Sequence, residues 1–113
     1  ANTWGADYFI SIHTNAAENP AASGSEQLVY QTVGTAYRLA LAIGGQLADV
    51  TGLRNRGVIA RPGLYVLRKT RMPAVLLEIG FITNAGEAYL MATEPYRIAN
   101  GIANGIFDHL GWA

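Results

Sequence analysis

The stretch PAVLLEIGF, Pro73 to Phe81, decides the fold. It is an unbroken apolar run with one acid, Glu78, inside it. Continuous hydrophobicity, rather than alternation, marks a strand covered on both faces, the habit of parallel sheets in α/β proteins. Working outward, Asp7 to His13 alternates, with Tyr8, Ile10 and Ile12 on one side and Phe9, Ser11 and His13 on the other. Both sides are partly apolar, so this too reads as a doubly covered strand. EQLVYQ reads as a short strand after the loop NAAENPAASGSE. GVIARPGLYVLRKT reads as a strand, a turn at Pro62-Gly63 and a second extended piece.

Helical spacing fills the gaps. Ala36, Leu39, Ala40, Ile43, Leu47 and Val50 form one stripe, with Thr35 placed to cap the helix and Gly52 to close it. Gly44-Gly45 lowers its propensity and so predicts a close packing contact there. TNAGEAYLMA starts a short helix. Thr93 is placed to cap a last helix with Pro95 in its first turn, and Ile98, Ile102, Ile106 and Leu110 give that helix its apolar face. Gly101 and Gly105, one turn apart, predict that it lies close to a sheet. Strands alternating with helices imply α/β layering: a mostly parallel sheet covered by helices on both faces.

The chain has 113 residues, half of them hydrophobic and 14% charged, with no cysteine. That reads as one globular domain, residues 1–113, without disulfides or thiolate metal sites. No run of eighteen apolar residues suggests a membrane span, and no membrane partner is expected. The chain opens on ANTWGADYF, which reads as the end of one helix and its linker, so residues are expected upstream of Ala1. Net charge is zero, yet Arg54, Arg56, Arg61, Arg68, Lys69 and Arg71 are six of the eight basic residues, and no acid falls between Asp49 and Glu78. The run suits an anionic ligand, or is a solvated loop face balanced by acids elsewhere.

Two residues stand out chemically. Ligands of open α/β sheets bind beyond the carboxyl ends of strands. His13 ends one strand and Glu78 sits late in another, so parallel strands bring both to one crest. Burying a carboxylate in an apolar run disfavours its charge and suits it to general-base work; alternatively Glu78 pairs with Arg68 or Arg71. His13 is a natural zinc ligand, or a polar histidine at a strand end. His109, the other imidazole, ends the last helix, where a cation suits the dipole. No phosphate-binding glycine loop and no Gly-x-Ser-x-Gly elbow is present. The tyrosines are not interleaved with the basic run as a stacking platform requires, so nucleic acid is not expected as a partner.

ADYFISIHTNAA, TGLRNRGV and LYVLRKTRMPAVLLEIGFITNAGE, in that order and spacing, closely resemble the zinc-dependent N-acetylmuramoyl-L-alanine amidases, the peptidoglycan hydrolases of bacterial walls, spore systems and phage lysins. The resemblance covers essentially the whole chain, as the carboxyl-terminal two-thirds of the family's domain. It implies an amidase-like fold lacking its first strand and helix, and peptidoglycan as the partner. It implies Zn2+ as the cofactor, with His13 of Ser-Ile-His-x-Asn as the last zinc ligand and two more ligands upstream of Ala1. Glu78 of Leu-Glu-Ile-Gly-Phe matches the catalytic glutamate. Asn15, Arg68 and Asn84 fall on motif positions near the site, for substrate contact or bracing, and Glu26 follows a Gly-x-Glu pattern whose role is open. The resemblance implies that bound zinc would supply Lewis-acid activation of a water, and that Glu78 would take that water's proton as it attacks the lactyl amide and return it to the leaving alanine nitrogen. The implied place of action is outside the cytoplasm, in the wall or as a released lysin. This fragment alone is expected to be inactive. A rival reading is a non-catalytic wall-binding module of the same fold, and a weaker one an anion- or nucleic-acid-binding α/β domain.

Overall fold

The computed structural model describes residues 2–112. Its strands are β1 (Phe9–Asn15), β2 (Ser25–Val29), β3 (Asn55–Ala60) and β4 (Ala74–Phe81). Its helices are α1 (Gly34–Thr51), α2 (Tyr65–Lys69), α3 (Ala85–Thr93) and α4 (Pro95–Leu110). The four strands form one sheet in the order β1-β4-β2-β3. β1 runs parallel to β4, and β2 parallel to β3, while β2 and β4 meet antiparallel. The apolar run of β4 therefore lies inside the sheet, buried from Ala74 to Leu77.

The two faces of β4 meet different neighbours. Val75 and Leu77 pack with Val29, Leu39, Ile43, Leu47, Ile98 and Ile102, so α1 and α4 cover this face. Ala74 and Leu76 pack with Leu28 and with Leu67 of α2 on the other face. A five-residue helix covers only the part of the face near the start of β4. Helices do lie on both sides, but the second cover is thin, and the strand ends beyond it stay open to polar side chains.

Several local expectations are corrected. The piece after Pro62-Gly63 is a helix, not a strand, because helical turning puts Leu64 and Leu67 together on the second core. Thr35 lies inside α1 and does not cap it; the chain enters from Val33, extended, through Gly34 at φ 85°, a left-handed conformation that suits glycine. Thr93 ends α3, its hydroxyl donating to Tyr89 O at 2.7 Å, and Glu94 precedes Pro95 at the start of α4. The glycines of α4 meet α1 rather than the sheet. A Cβ at Gly101 would lie 2.9 Å from Leu47 Cα, and one at Gly105 would collide with the Ile43 backbone. Of the pair in α1, Gly44 is the close contact, pressed on the buried Gln27 carboxamide, while Gly45 faces open space.

Candidate active site

The parallel pairing of β1 and β4 sets His13 directly beside Glu78. The antiparallel pairing of β2 sets Glu26 on the other side of Glu78. Strand periodicity gives all three the face that carries Leu28 and Leu76, beyond the end of the α2 cover. A polar row thus crosses three strands at the carboxyl ends of β1 and β4, with Arg56 of β3 extending it to a fourth.

Each member has a defined partner except one. Ser11, two residues before His13 on the same face, shares a 2.7 Å hydrogen bond between its Oγ and His13 Nε2, which leaves Nδ1 as the unengaged ring nitrogen. Glu26 Oε1 accepts from Asn15 Nδ2 at 3.1 Å, and its Oε2 accepts from Arg56 Nε at 3.0 Å. The Arg56 guanidinium also lies over the Phe81 ring, 5.3 Å from its centroid. Glu78 Oε2 is buried without any hydrogen-bond partner among the described residues. Burial, and then the Glu26 carboxylate, push the Glu78 carboxyl above its ordinary value of 4.5, while His13 pulls it down. An unpartnered carboxyl with a raised proton affinity, open on one side to solvent, can accept a proton and give it back.

A third carboxylate holds the row in place. Glu87, 4% exposed, accepts from Gly24 N through Oε2 at 2.8 Å and from Phe81 N through Oε1 at 2.7 Å. It joins the entry of β2 to the exit of β4, the segments that carry Glu26 and Glu78. Gly24, at φ 106°, lies so close to Arg54 O that a Cβ would approach it to 2.6 Å. Glu87 was not among the sequence candidates, although Asn84-x-x-Glu87 has the spacing of a helix cap and its third residue, which would have flagged it.

Of the expected site residues, His13, Glu78, Asn15 and Glu26 come together at this crest. Asn84 caps α3, its Oδ1 accepting from Glu87 N at 3.2 Å and its Nδ2 donating to Ala22 O at 3.4 Å, so it braces the neighbouring loop. Arg68 is not brought to the crest. It lies in α2 and lines a cavity with Ala74 and Thr35, at the start of β4. Four strand residues, roughly 13 Å, separate Ala74 from Glu78. His109 Nε2 lies 3.4 Å from Tyr8 Oη, at the opposite end of β1 from His13. Among the described residues no three His, Asp or Glu side chains gather where they could hold a metal ion. His13 offers one imidazole where a catalytic zinc takes three protein ligands, so these residues do not by themselves make a zinc centre.

Residues 1–108 match the N-acetylmuramoyl-L-alanine amidase family model. The chain is 40% identical over 111 residues to the N-acetylmuramoyl-L-alanine amidase CwlM of Bacillus licheniformis, covering 94% of this chain and 42% of that protein. It is 35% identical over 111 residues to the sporulation-specific N-acetylmuramoyl-L-alanine amidase of Bacillus subtilis, covering 94% of this chain and 41% of that one. Among solved structures, the CwlD amidase of Clostridioides difficile, in complex with the GerS lipoprotein, superposes with a TM-score of 0.90 at 31% identity, over 99% of this chain and 58% of that chain. The catalytic domain of CwlV from Bacillus (Paenibacillus) polymyxa var. colistinus gives 0.83 at 35% identity, over 96% and 60%. The chain spans less than half the length of either sequence relative and about three-fifths of either structure.

Proposed function

The chain belongs to the N-acetylmuramoyl-L-alanine amidase family, and from that membership we propose that the protein carrying it hydrolyses the amide between the lactyl group of N-acetylmuramic acid and L-alanine in peptidoglycan. The observation that carries this reading is Glu78 Oε2, buried and unpartnered beside His13. A carboxyl held there accepts the proton of a water as its oxygen adds to the lactyl carbonyl carbon. When the carbon–nitrogen bond breaks, the same carboxyl returns that proton to the alanine nitrogen, leaving a lactyl carboxylic acid and a free amine. Burial raises its proton affinity above that of a free glutamate. Glu26, held from two sides by Asn15 and Arg56, stands at a fixed place beside it and adds to the rise that burial gives.

His13 is the residue of this chain proposed to ligate zinc, through the ring nitrogen that Ser11 does not engage. Arg54, exposed at the same end of the sheet, and Arg56 are the cations proposed to meet the carboxylates of the peptide stem. Such a substrate places the protein's work outside the cytoplasm, at the wall. No helix among the described residues is long and apolar enough to cross a membrane.

A second reading is a wall-binding module of the same fold without catalysis. The test uses the full-length protein that carries this chain, with a muramyl peptide and with whole peptidoglycan. The expected result is release of peptides with a new amino-terminal alanine, lost in Glu78→Gln while bound zinc stays unchanged, and a lower zinc content in His13→Ala. Unchanged turnover in Glu78→Gln removes that residue from the role. Wall binding with no turnover in the zinc-loaded protein decides for the module.

A further inference from the structure

The basic run from Arg54 to Arg71 is split by the fold. β3 runs antiparallel to β4, so Arg54 and Arg56 at its start stand at the crest, by Glu26 and Glu78. Arg61, just past the end of β3, donates its N–H to Val29 O at 2.7 Å, at the other end of the sheet. Arg68 and Lys69 in the last turn of α2, and Arg71 after it, lie at that same end, where Asn2 joins Lys69 O and Arg71 N. All four side chains are exposed. The proposed hydrolysis uses none of them.

Their surroundings do not neutralise them. The ion pairs among the described residues are Arg56–Glu26 and Arg97–Glu94. Asp7 and Asp108 are the acids carried toward this end, and Asp108 already accepts from Gln46 at 2.7 Å. Between the start of α1, the end of α2 and the start of β4 lies a cavity of about 300 Å³. Its walls include Val33, Leu67, Met72 and Pro73, and its polar lining includes Gln31, Thr35 and Arg68. Apolar walls lower the local dielectric and strengthen the pull of Arg68 on an anion inside.

We propose that this end of the sheet is a second binding surface, for a linear phosphate-bearing polyanion, with one phosphate seated in the cavity against Arg68 and neighbouring phosphates met by Arg61, Lys69 and Arg71. Charge complementarity selects a polyanion: Arg68 lines the cavity, and Arg61, Lys69 and Arg71 stand exposed outside it at the same end of the sheet, where further anionic groups of one chain can meet them. Directionality selects phosphate. Gln31 and Thr35 line the cavity from the β2–α1 side and Arg68 from α2, and a tetrahedral oxyanion can accept donors arriving from separate sides, whereas a carboxylate accepts mainly in its plane. The chain's net charge is zero, so general attraction to a polyanion does not supply the binding; it has to come from this patch.

The probe is inorganic polyphosphate, titrated into the chain at several salt concentrations, with poly-glutamate and a single-stranded oligonucleotide of matched charge alongside. Polyphosphate is expected to bind best, with an affinity that falls steeply as salt rises. Arg68→Gln is expected to weaken it about tenfold, a difference of ~1.4 kcal/mol. Arg61→Gln, Arg68→Gln and Arg71→Gln together are expected to abolish it, while Arg54→Gln at the crest leaves it unchanged. These side chains are exposed, so the variants are expected to fold, and circular dichroism is the check. The proposal is overturned if polyphosphate does not bind, if the triple variant binds as before, or if Arg54→Gln weakens binding as much as Arg68→Gln. Tighter binding of poly-glutamate or of the oligonucleotide also overturns it, in favour of a carboxylate or nucleic-acid surface.

Discussion

Glu26 and Glu78 face each other across the one antiparallel junction of the sheet, two carboxylates in direct register with an arginine behind one of them. Glu26 is satisfied on both oxygens, while Glu78 keeps one buried oxygen without a donor. The pair is thereby unequal: one carboxylate has hydrogen-bond partners on both oxygens, and the other is pushed by burial and by its neighbour toward keeping its proton.

That inequality has a stability signature. The Glu78 carboxyl binds its proton more tightly in the folded chain than in the unfolded one, because its value is raised above 4.5. Its favourable contribution is fully present below that ordinary value and is lost as pH rises through the raised one. Glutamine has no charge to bury. Glu78→Gln is therefore expected to melt above the parent at neutral pH, the gap closing as the solution is acidified below the ordinary glutamate range. Thermal melts across pH on the metal-free chain measure this; a gap that does not change with pH contradicts it.

Arg56 is expected to matter through three contacts: Glu26, Ser23 O at 3.3 Å and the Phe81 ring. Its side chain is 33% exposed and that of Glu26 12% exposed, so solvent screens part of the pair. Arg56→Leu is expected to cost about 1 kcal/mol in urea denaturation. Lysine, without the planar fork, is expected to recover less than half of it.

Glu87 is a larger stake. Removing its carboxylate leaves the Gly24 and Phe81 N–H groups buried without an acceptor, each costing ~1–3 kcal/mol. Glu87→Ala is expected to lose about 3 kcal/mol, and Glu87→Gln, which keeps one acceptor, clearly less. Urea denaturation of the two variants gives the comparison, and equal losses would show that the two bonds are not what Glu87 contributes.

Two helical glycines are expected to respond in opposite directions to alanine. Gly105 lies against the Ile43 backbone of α1, and a methyl group there forces the helices apart, at about 2 kcal/mol. Gly45 meets nothing within 4 Å and sits mid-helix, so Gly45→Ala is expected to gain about 0.5–1 kcal/mol. Thermal denaturation of the two single variants separates packing from propensity.

What lies in the sequence by itself is what short-range pattern dictates. The run from Pro73 to Phe81 is apolar but for Glu78, and that alone marks β4 as a covered strand. The spacing of Leu39, Ile43 and Leu47 made α1 a helix with one buried stripe, and Ile98 and Ile102 did the same for α4. His13 and Glu78 could be placed near strand ends because alternation and burial are local properties of a strand.

The tertiary structure decided what depends on pairing between distant segments. No local pattern says that β2 inserts antiparallel beside β4, yet that junction puts Glu26 next to Glu78 and turns a lone acid into an unequal pair. Tyr65 to Lys69 alternates well enough for a strand, and it coils because Leu64 and Leu67 find Leu28, Ala74 and Leu76 across the sheet. The six cations from Arg54 to Arg71 are one run along the chain, but β3 carries Arg54 and Arg56 to one end of the sheet and delivers Arg61, Arg68, Lys69 and Arg71 to the other. Side-chain periodicity is written into successive residues; register and strand direction are set by hydrogen bonds and burial shared between segments many residues apart.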